Sequence, residues 1–387
     1  MLDASPTSIR CKRPFLTLKI AILGSRGIPA NYGGTETVAE IMSPIFQQLG
    51  HAVTVYSPDE HPYTGATWRG IQLKRIFNRE SKLGIWGTLI YDFLCLKDAV
   101  ASEFDIILEL GNVPCAIFFP FFHQRNSKLI TNMDGLEWKR AKWNVVLQKF
   151  AKLTEALGAR CSDALIADNE GIREYLRQEY GRDSYFIPYG ALAVSAVHLA
   201  HLQSYALEPR RYHMLIARLE PENNIEMIVD GFLAATDNRE FIVVGKIANT
   251  YGRRLVAKYQ AQTRVRFVGG IYDYAVLSSL RWYAEIYFHG HSVGGTNPSL
   301  LEAMASSAFI AAHDNVFNRS VLGADACYFS SVSAVVEIID GDYSTQRAAW
   351  VTANLTKVEE IYTWDRIARE YLHVFASVLA EGPQNSA

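Results

Sequence analysis

Between Leu18 and Tyr56 the chain runs through a strand, a glycine-rich loop, a helix and a second strand, an order that few architectures accept. The apolar run Leu18–Leu23 is followed by Gly24, Gly27, Gly33 and Gly34. Val38, Ile41, Met42, Ile45, Phe46 and Leu49 then recur at helical spacing, Gly50 ends the helix, and Ala52–Tyr56 is the next strand. These glycines do not fit the Gly-x-Gly-x-x-Gly spacing of a dinucleotide loop, and no Gly-Lys-Ser/Thr follows to make a Walker loop. The alternation continues with strands expected near 71–76, 105–110, 128–133, 163–167 and 184–187, and helices near 84–101, 143–159 and 170–180. It then starts afresh, with strands near 212–217, 239–244, 264–268, 285–289, 309–313 and 327–329 and helices between them. Strictly alternating elements of this kind predict an α/β fold of two doubly wound, Rossmann-like domains facing each other across a cleft. The expected boundaries are a flexible extension at 1–16, a first domain at 17–195, a second at 205–345, one long helix within 346–380 that returns toward the first domain, and a disordered tail at 381–387.

Composition fits that frame. In 387 residues, 49% are hydrophobic and 20% charged, enough for large buried cores. A formal charge of −2 gives no global reason to bind nucleic acid. Cys11, Cys95, Cys115, Cys161 and Cys327 are odd in number and lack metal-ligand spacing, which predicts neither a disulfide framework nor a zinc site. The first sixteen residues hold no apolar signal-peptide core, and no run approaches the roughly 20 apolar residues of a membrane span. A cytoplasmic location is expected.

A second loop of the same design follows the fourth strand of the second half. His289-Gly290-His291-Ser292-Val293-Gly294-Gly295-Thr296-Asn297 leads into a helix opened by Pro298, with Glu302 one turn in. Bare amides and the helix dipole at such a start form an anion site, and Glu302 supplies an acceptor-only group suited to paired sugar hydroxyls. A well-capped helix with a solvated Glu302 reads the same way. Two glycine-rich loops at strand carboxyl ends place a ligand in the crevice between the domains.

At this point a resemblance can be named. Pro29…Gly33-Gly34-Thr35-Glu36, Leu49-Gly50-His51, Ala217-Arg218-Leu219-Glu220-Pro221, Pro298…Leu301-Glu302-Ala303-Met304-Ala305 and Tyr362-Thr363-Trp364 resemble the retaining GT-B glycosyltransferases of family four over about residues 18–375. Ser25-Arg26-Gly27-Ile28-Pro29, the run from Thr131 to Arg140, and His289–Ser299 look like the bacterial rhamnosyltransferase subgroup of capsule and cell-wall polysaccharide synthesis. The resemblance implies transfer of a hexose, rhamnose foremost, from a nucleoside diphosphate sugar to a glycan acceptor, lipid-linked in this subgroup, with no cofactor. It places Arg218 on the diphosphate, where a permanent guanidinium stabilises the leaving group, in preference to a surface ion pair with Glu220 or Glu222. Lys246 either replaces a second cation whose place is taken by Asn223 or is a solvated loop lysine. Gly33 and Gly34 offer amides from the opposite domain.

The first of the family's two bracketing glutamates is replaced by Gly294, so Gly294, Gly295, Thr296 and Asn297 are expected to meet the sugar through backbone, while Glu302 holds the ribose. Asp134 either orients a donor hydroxyl or helps the acceptor lose its proton, or is a turn residue, and His291 or His289 either contacts the donor or packs. Retention without an enzymic nucleophile implies front-face displacement in which the leaving phosphate helps take the proton. Asp340-Gly341-Asp342 reads as a turn rather than an Asp-x-Asp metal motif, and no metal is expected. Lys139, Arg140, Lys142, Lys149, Lys152 and Arg160, on or beside the helix at 143–159, either meet anionic lipid or are solvated while Val146, Phe150, Leu153 and Leu157 pack inward. A nucleotide-sugar epimerase and a non-catalytic nucleotide-sugar-binding protein remain as alternatives.

Overall fold

The structure is a computed structural model that describes residues 17–30, 34–111, 113–122, 126–133, 135–139, 144–194 and 196–381. Gly33, Asp134, Arg140, Lys142, the proposed extension 1–16 and all but Glu381 of the proposed tail lie outside these described residues.

Two sheets account for every strand. The first holds β1 (Lys19–Leu23), β2 (Ala52–Pro58), β3 (Thr67–Trp68), β4 (Ile71–Ile76), β5 (Ile106–Glu109), β6 (Lys128–Asn132), β7 (Ala164–Ala167) and β8 (Tyr185–Phe186), in the spatial order β3-β4-β2-β1-β5-β6-β7-β8. All neighbours run parallel except the β3–β4 pair. The second holds β9 (Tyr212–Ile216), β10 (Glu240–Val244), β11 (Val265–Gly269), β12 (Tyr287–His289), β13 (Ile310–His313) and β14 (Cys327–Phe329), in the order β11-β10-β9-β12-β13-β14, all parallel. Strands covered on both faces by helices read as largely apolar runs, and β5, β7 and β12 are buried at every residue, Glu109 and His289 included. In each sheet the chain order reverses beside the first strand, between β1 and β5 and between β9 and β12. Such switch points leave a crevice at the strands' carboxyl ends.

The single C-terminal helix expected from the sequence is two. Arg347–Glu360 packs on the second domain, where Asn354 Nδ2 donates to the Asp325 carbonyl at 2.8 Å. Trp364–Ala380 packs on the helix Gly34–Gln48 of the first domain, with the Phe46 ring 6.4 Å from Tyr371 and 5.8 Å from Phe375. The break falls where the Tyr362 carbonyl leaves the helical ladder to accept the Ala191 N–H at 2.8 Å. There Trp364 also packs on Gly190, leaving no room for a Cβ. Residues 196–209 include the short helix Ala200–Gln203 and bury Leu202 and Leu207.

The helix Val145–Cys161 corrects a second expectation. It buries Ala151, Thr154, Glu155, Gly158 and Ala159; of the four apolar residues expected to pack inward, Leu157 does so, while Val146 and Leu153 stay on the surface. Small residues admit close packing, and Glu155 is drawn inside by the hydroxyls of Tyr175 at 2.5 Å and Tyr180 at 2.6 Å. Lys152, expected to be free for lipid or solvent, bridges Glu155 at 3.3 Å and Glu179 at 2.9 Å.

Candidate functional site

The loop after β1 is held open by its own helix: Glu36 Oε1 accepts the Arg26 N–H at 2.8 Å and Glu40 Oε2 accepts the Ala30 N–H at 2.7 Å. The carboxylates are four residues apart, so one helical face braces the loop at Arg26 and Ala30. Gly34 and Thr35 at the start of that helix border a cavity of about 550 Å³. Its opposite wall is the carboxyl edge of the second sheet, formed by Arg218 after β9 and by His291 and Gly294–Glu302 after β12.

Of the residues singled out from sequence, the cavity brings together Gly34, Arg218, His291, Gly294, Gly295, Thr296, Asn297 and Glu302. Lys246 is not among them; it stands exposed on the loop after β10. Gly135, next to the undescribed Asp134, does line the cavity, and a Cβ on it would come within 3.2 Å of the Gly294 Cα. Arg218 is half-exposed and 3.7 Å from Glu220, so the pairing weighed against a ligand role exists but leaves most of the guanidinium open. Asn223 is buried and donates to the Arg218 carbonyl at 2.7 Å. It shapes the strand end and brings no charge.

The helix Pro298–Ala305 starts in the cavity wall. Asn297 caps it, its Oδ1 accepting the Ser299 N–H at 3.0 Å, so its side chain is committed to the helix. The Gly294, Gly295 and Asn297 amides have no partner among the described residues. They leave an anion-binding helix start. His289 is fully buried and stacked on His291, ring centroids 4.4 Å apart. Burial, with His291, Arg281 and His313 nearby, pushes its pKa well below the ordinary histidine value and keeps it neutral. His291 faces the cavity, and His289 supports it.

Two residues missed in the sequence complete the site. Arg281, fully buried on the helix Tyr274–Tyr283, donates to Glu302 Oε2 at 2.5 Å. That contact fixes one carboxylate oxygen of Glu302, a residue of the cavity lining, and leaves Oε1 without a hydrogen bond to any described residue. A clue existed: Arg281 lies one helical turn beyond Leu277, where an apolar residue was due. Asp168, which follows β7, is buried across the cleft; its Oδ2 accepts the Thr296 N–H at 3.2 Å and its carbonyl accepts the Thr296 hydroxyl. Asp168 therefore ties the first domain to the second domain's glycine loop.

Burial pushes the Asp168 carboxyl up to about 7, the bond from Thr296 opposing only in part. Because the folded value exceeds the unfolded one, its contribution to stability is fully present below about pH 4 and is lost as pH rises through 7. Asp168→Asn removes that titration. The melting temperature of the native protein minus that of the variant is expected to be several degrees higher at pH 5 than at pH 8; a difference that is flat in pH would exclude the shift.

Comparison with known proteins adds to this geometry. A family described as a domain of unknown function, DUF1972, matches residues 17–192. No curated protein matches the sequence. Among solved structures, sucrose-phosphate synthase from Thermosynechococcus elongatus is similar over 94% of this chain and 100% of its own, at TM-score 0.78 and 16% identity. Anabaena HepE in complex with UDP-glucose is similar over 93% and 100%, at 0.71 and 14%. WaaG, a glycosyltransferase involved in lipopolysaccharide biosynthesis, is similar over 92% and 99%, at 0.69 and 13%. The chain therefore has the GT-B fold, two Rossmann-like domains over one cleft, and these structural neighbours are glycosyltransferases.

Proposed function

We propose that the protein is a retaining, metal-independent hexosyltransferase that moves a sugar, rhamnose foremost, from a nucleoside diphosphate to a lipid-linked surface glycan. One observation carries the reading: Arg218, three unpartnered loop amides and the oriented carboxylate of Glu302 converge on one cavity. Arg218 and the helix start at Pro298 neutralise the diphosphate as it leaves. Glu302 Oε1 accepts from ribose hydroxyls while Arg281 holds its other oxygen. With no carboxylate at Gly294, the departing phosphate takes the acceptor proton on the same face. HepE, an Anabaena protein seen with UDP-glucose, supports a nucleotide-sugar donor.

A peripheral place at the inner face of the membrane belongs to the same reading. No described helix is long and apolar enough to cross a membrane. Trp86 at 69% and Val146 at 75% exposure, with Phe121 and Leu153, lie on elements that pack together, and the exposed Lys149 is beside them. Apolar side chains interleaved with a cation suit an anionic lipid surface.

The test is nucleoside diphosphate release from uridine-, thymidine- and guanosine-linked hexoses, with and without a bacterial lipid-linked glycan extract. Acceptor-dependent release with one donor is expected, and Arg218→Met is expected to lower kcat/KM by ~100-fold or more. Donor epimerisation without acceptor would mean an epimerase, and binding without turnover a binding protein.

A further inference from the structure

A second cavity, of about 360 Å³, opens in the first domain where β1 and β5 end. This is the switch point of the eight-stranded sheet, the counterpart of the place the main cavity occupies on the other sheet. The two cavities share one structural wall. Thr35 and Thr37 line the main cavity, and Glu36 between them lines the second.

The second cavity carries four carboxyl groups, Glu36, Glu80, Asp92 and Glu109, and one cation, Arg26. Arg26 is already engaged, its Nε 2.9 Å from Glu80 Oε2, and Glu36 is taken by the Arg26 N–H and the Thr35 hydroxyl. Asp92 and Glu109 are different. Glu109 is buried, and its Oε2 receives only the Cys115 thiol, a weak donor, at 3.4 Å. Asp92 is 6% exposed and makes no hydrogen bond to any described residue, although it lines the cavity. Burial pushes Asp92 up to about 7, with Arg26 opposing, and pushes Glu109 well above the usual carboxylate range.

A buried polar group without a partner marks the place of an absent one. Four carboxyls refuse an anion, burial that favours the neutral forms of Asp92 and Glu109 weakens any pull on an ammonium, and no set of three His, Cys, Asp or Glu among the described residues is placed to hold a metal ion. What remains is a neutral ligand rich in hydroxyls. A carboxylate accepts two neighbouring hydroxyls and a protonated carboxyl donates to one, while Val113 and Pro114 offer an apolar wall to C–H groups.

We propose that this second cavity is a carbohydrate subsite that seats a neutral sugar ring of the acceptor through Asp92 and Glu109. The proposal rests on the transferase reading for the word acceptor alone; the subsite itself rests on the cavity.

Saturation-transfer NMR with the methyl α-glycosides of glucose, galactose, mannose and rhamnose tests it, on the full chain and on Asp92→Asn and Glu109→Gln. Affinities for UDP, dTDP and GDP are measured on the same samples by calorimetry, to report folding and the nucleotide site separately. At least one glycoside is expected to bind with the nucleotide site saturated, and each substitution to weaken it tenfold or more. Binding of no glycoside, or binding within twofold of native in both variants, would overturn the subsite. Glycoside binding that depends on Asp92, in a protein that binds none of the nucleotides, would instead keep the subsite and remove the transferase reading.

Discussion

Gly295→Val is expected to cut nucleoside diphosphate release at least 100-fold while the chain still folds. A Cβ at Gly295 would lie 1.9 Å from Asp168 Oδ1 and 2.4 Å from its Cγ, far inside contact distance. Asp168 has nowhere to go, since it is buried and holds both the amide and the hydroxyl of Thr296. The loop must lift away from the first domain, and a shift of about 1 Å between groups that act together is enough for the stated loss. Gly294 makes a contrast. Its missing Cβ would meet nothing within 4 Å, but its φ of +123° is closed to other residues, so Gly294→Ala brings strain without collision. Its cost should be of order 1–3 kcal/mol. Asp168→Gly in the Gly295→Ala background makes room for the added methyl, and a double-mutant cycle is expected to show at least 1 kcal/mol of coupling in the transition state. Turnover by Gly295→Val within threefold of native, or strictly additive losses in the cycle, would mean that the approach of the two loops does not matter to chemistry.

The strand and helix order was legible because each sheet is covered on both faces and its central strands are short apolar runs between glycines and polar turns. The helix Glu170–Tyr180 has the bounds its pattern implies, with Asn169 accepting at its start and Gly181 closing it at a φ of +63°. What the pattern could not carry is partnership at a distance. Asp168 and Thr296 are 128 residues apart, and nothing near either announces the other. The break at Tyr362 has the same origin, for the sequence there contains neither glycine nor proline, and the interruption is imposed by Ala191 and Gly190. On the helix Val145–Cys161 the aliphatic stripe misled because small residues and an internally satisfied glutamate won the contact. Lys246 was proposed for its nearness in sequence to a strand end, yet the loop after β10 leaves it exposed outside the cavity.

Glu302→Ala is expected to lower the melting temperature by roughly 4 °C as well as abolish turnover, because Glu302 is the counter-charge of a guanidinium with no access to water. Arg281 is fully buried, and its Nε and Nη1 find no hydrogen-bond partner among the described residues, leaving the 2.5 Å contact with Glu302 to hold the charge. Removing one member of a buried pair costs about 3–5 kcal/mol, and the lower end applies here since the Glu302 carboxylate is 31% exposed and partly solvated. The alanine variant alone therefore confuses two effects, lost fold stability and a lost sugar contact. Glu302→Gln separates them. Its amide oxygen still accepts from Arg281, but the group turned to the cavity becomes an N–H donor where a hydroxyl needs an acceptor, so melting should fall by only about 1 °C while donor KM rises ~10-fold or more. Replacing the pair together, Arg281→Met with Glu302→Leu, should recover most of the stability lost in Glu302→Ala and none of the turnover, because it removes the stranded charge without restoring an acceptor. A glutamine variant that binds and turns over donor like the native protein would confine Glu302 to neutralising Arg281 and leave the ribose without its proposed partner.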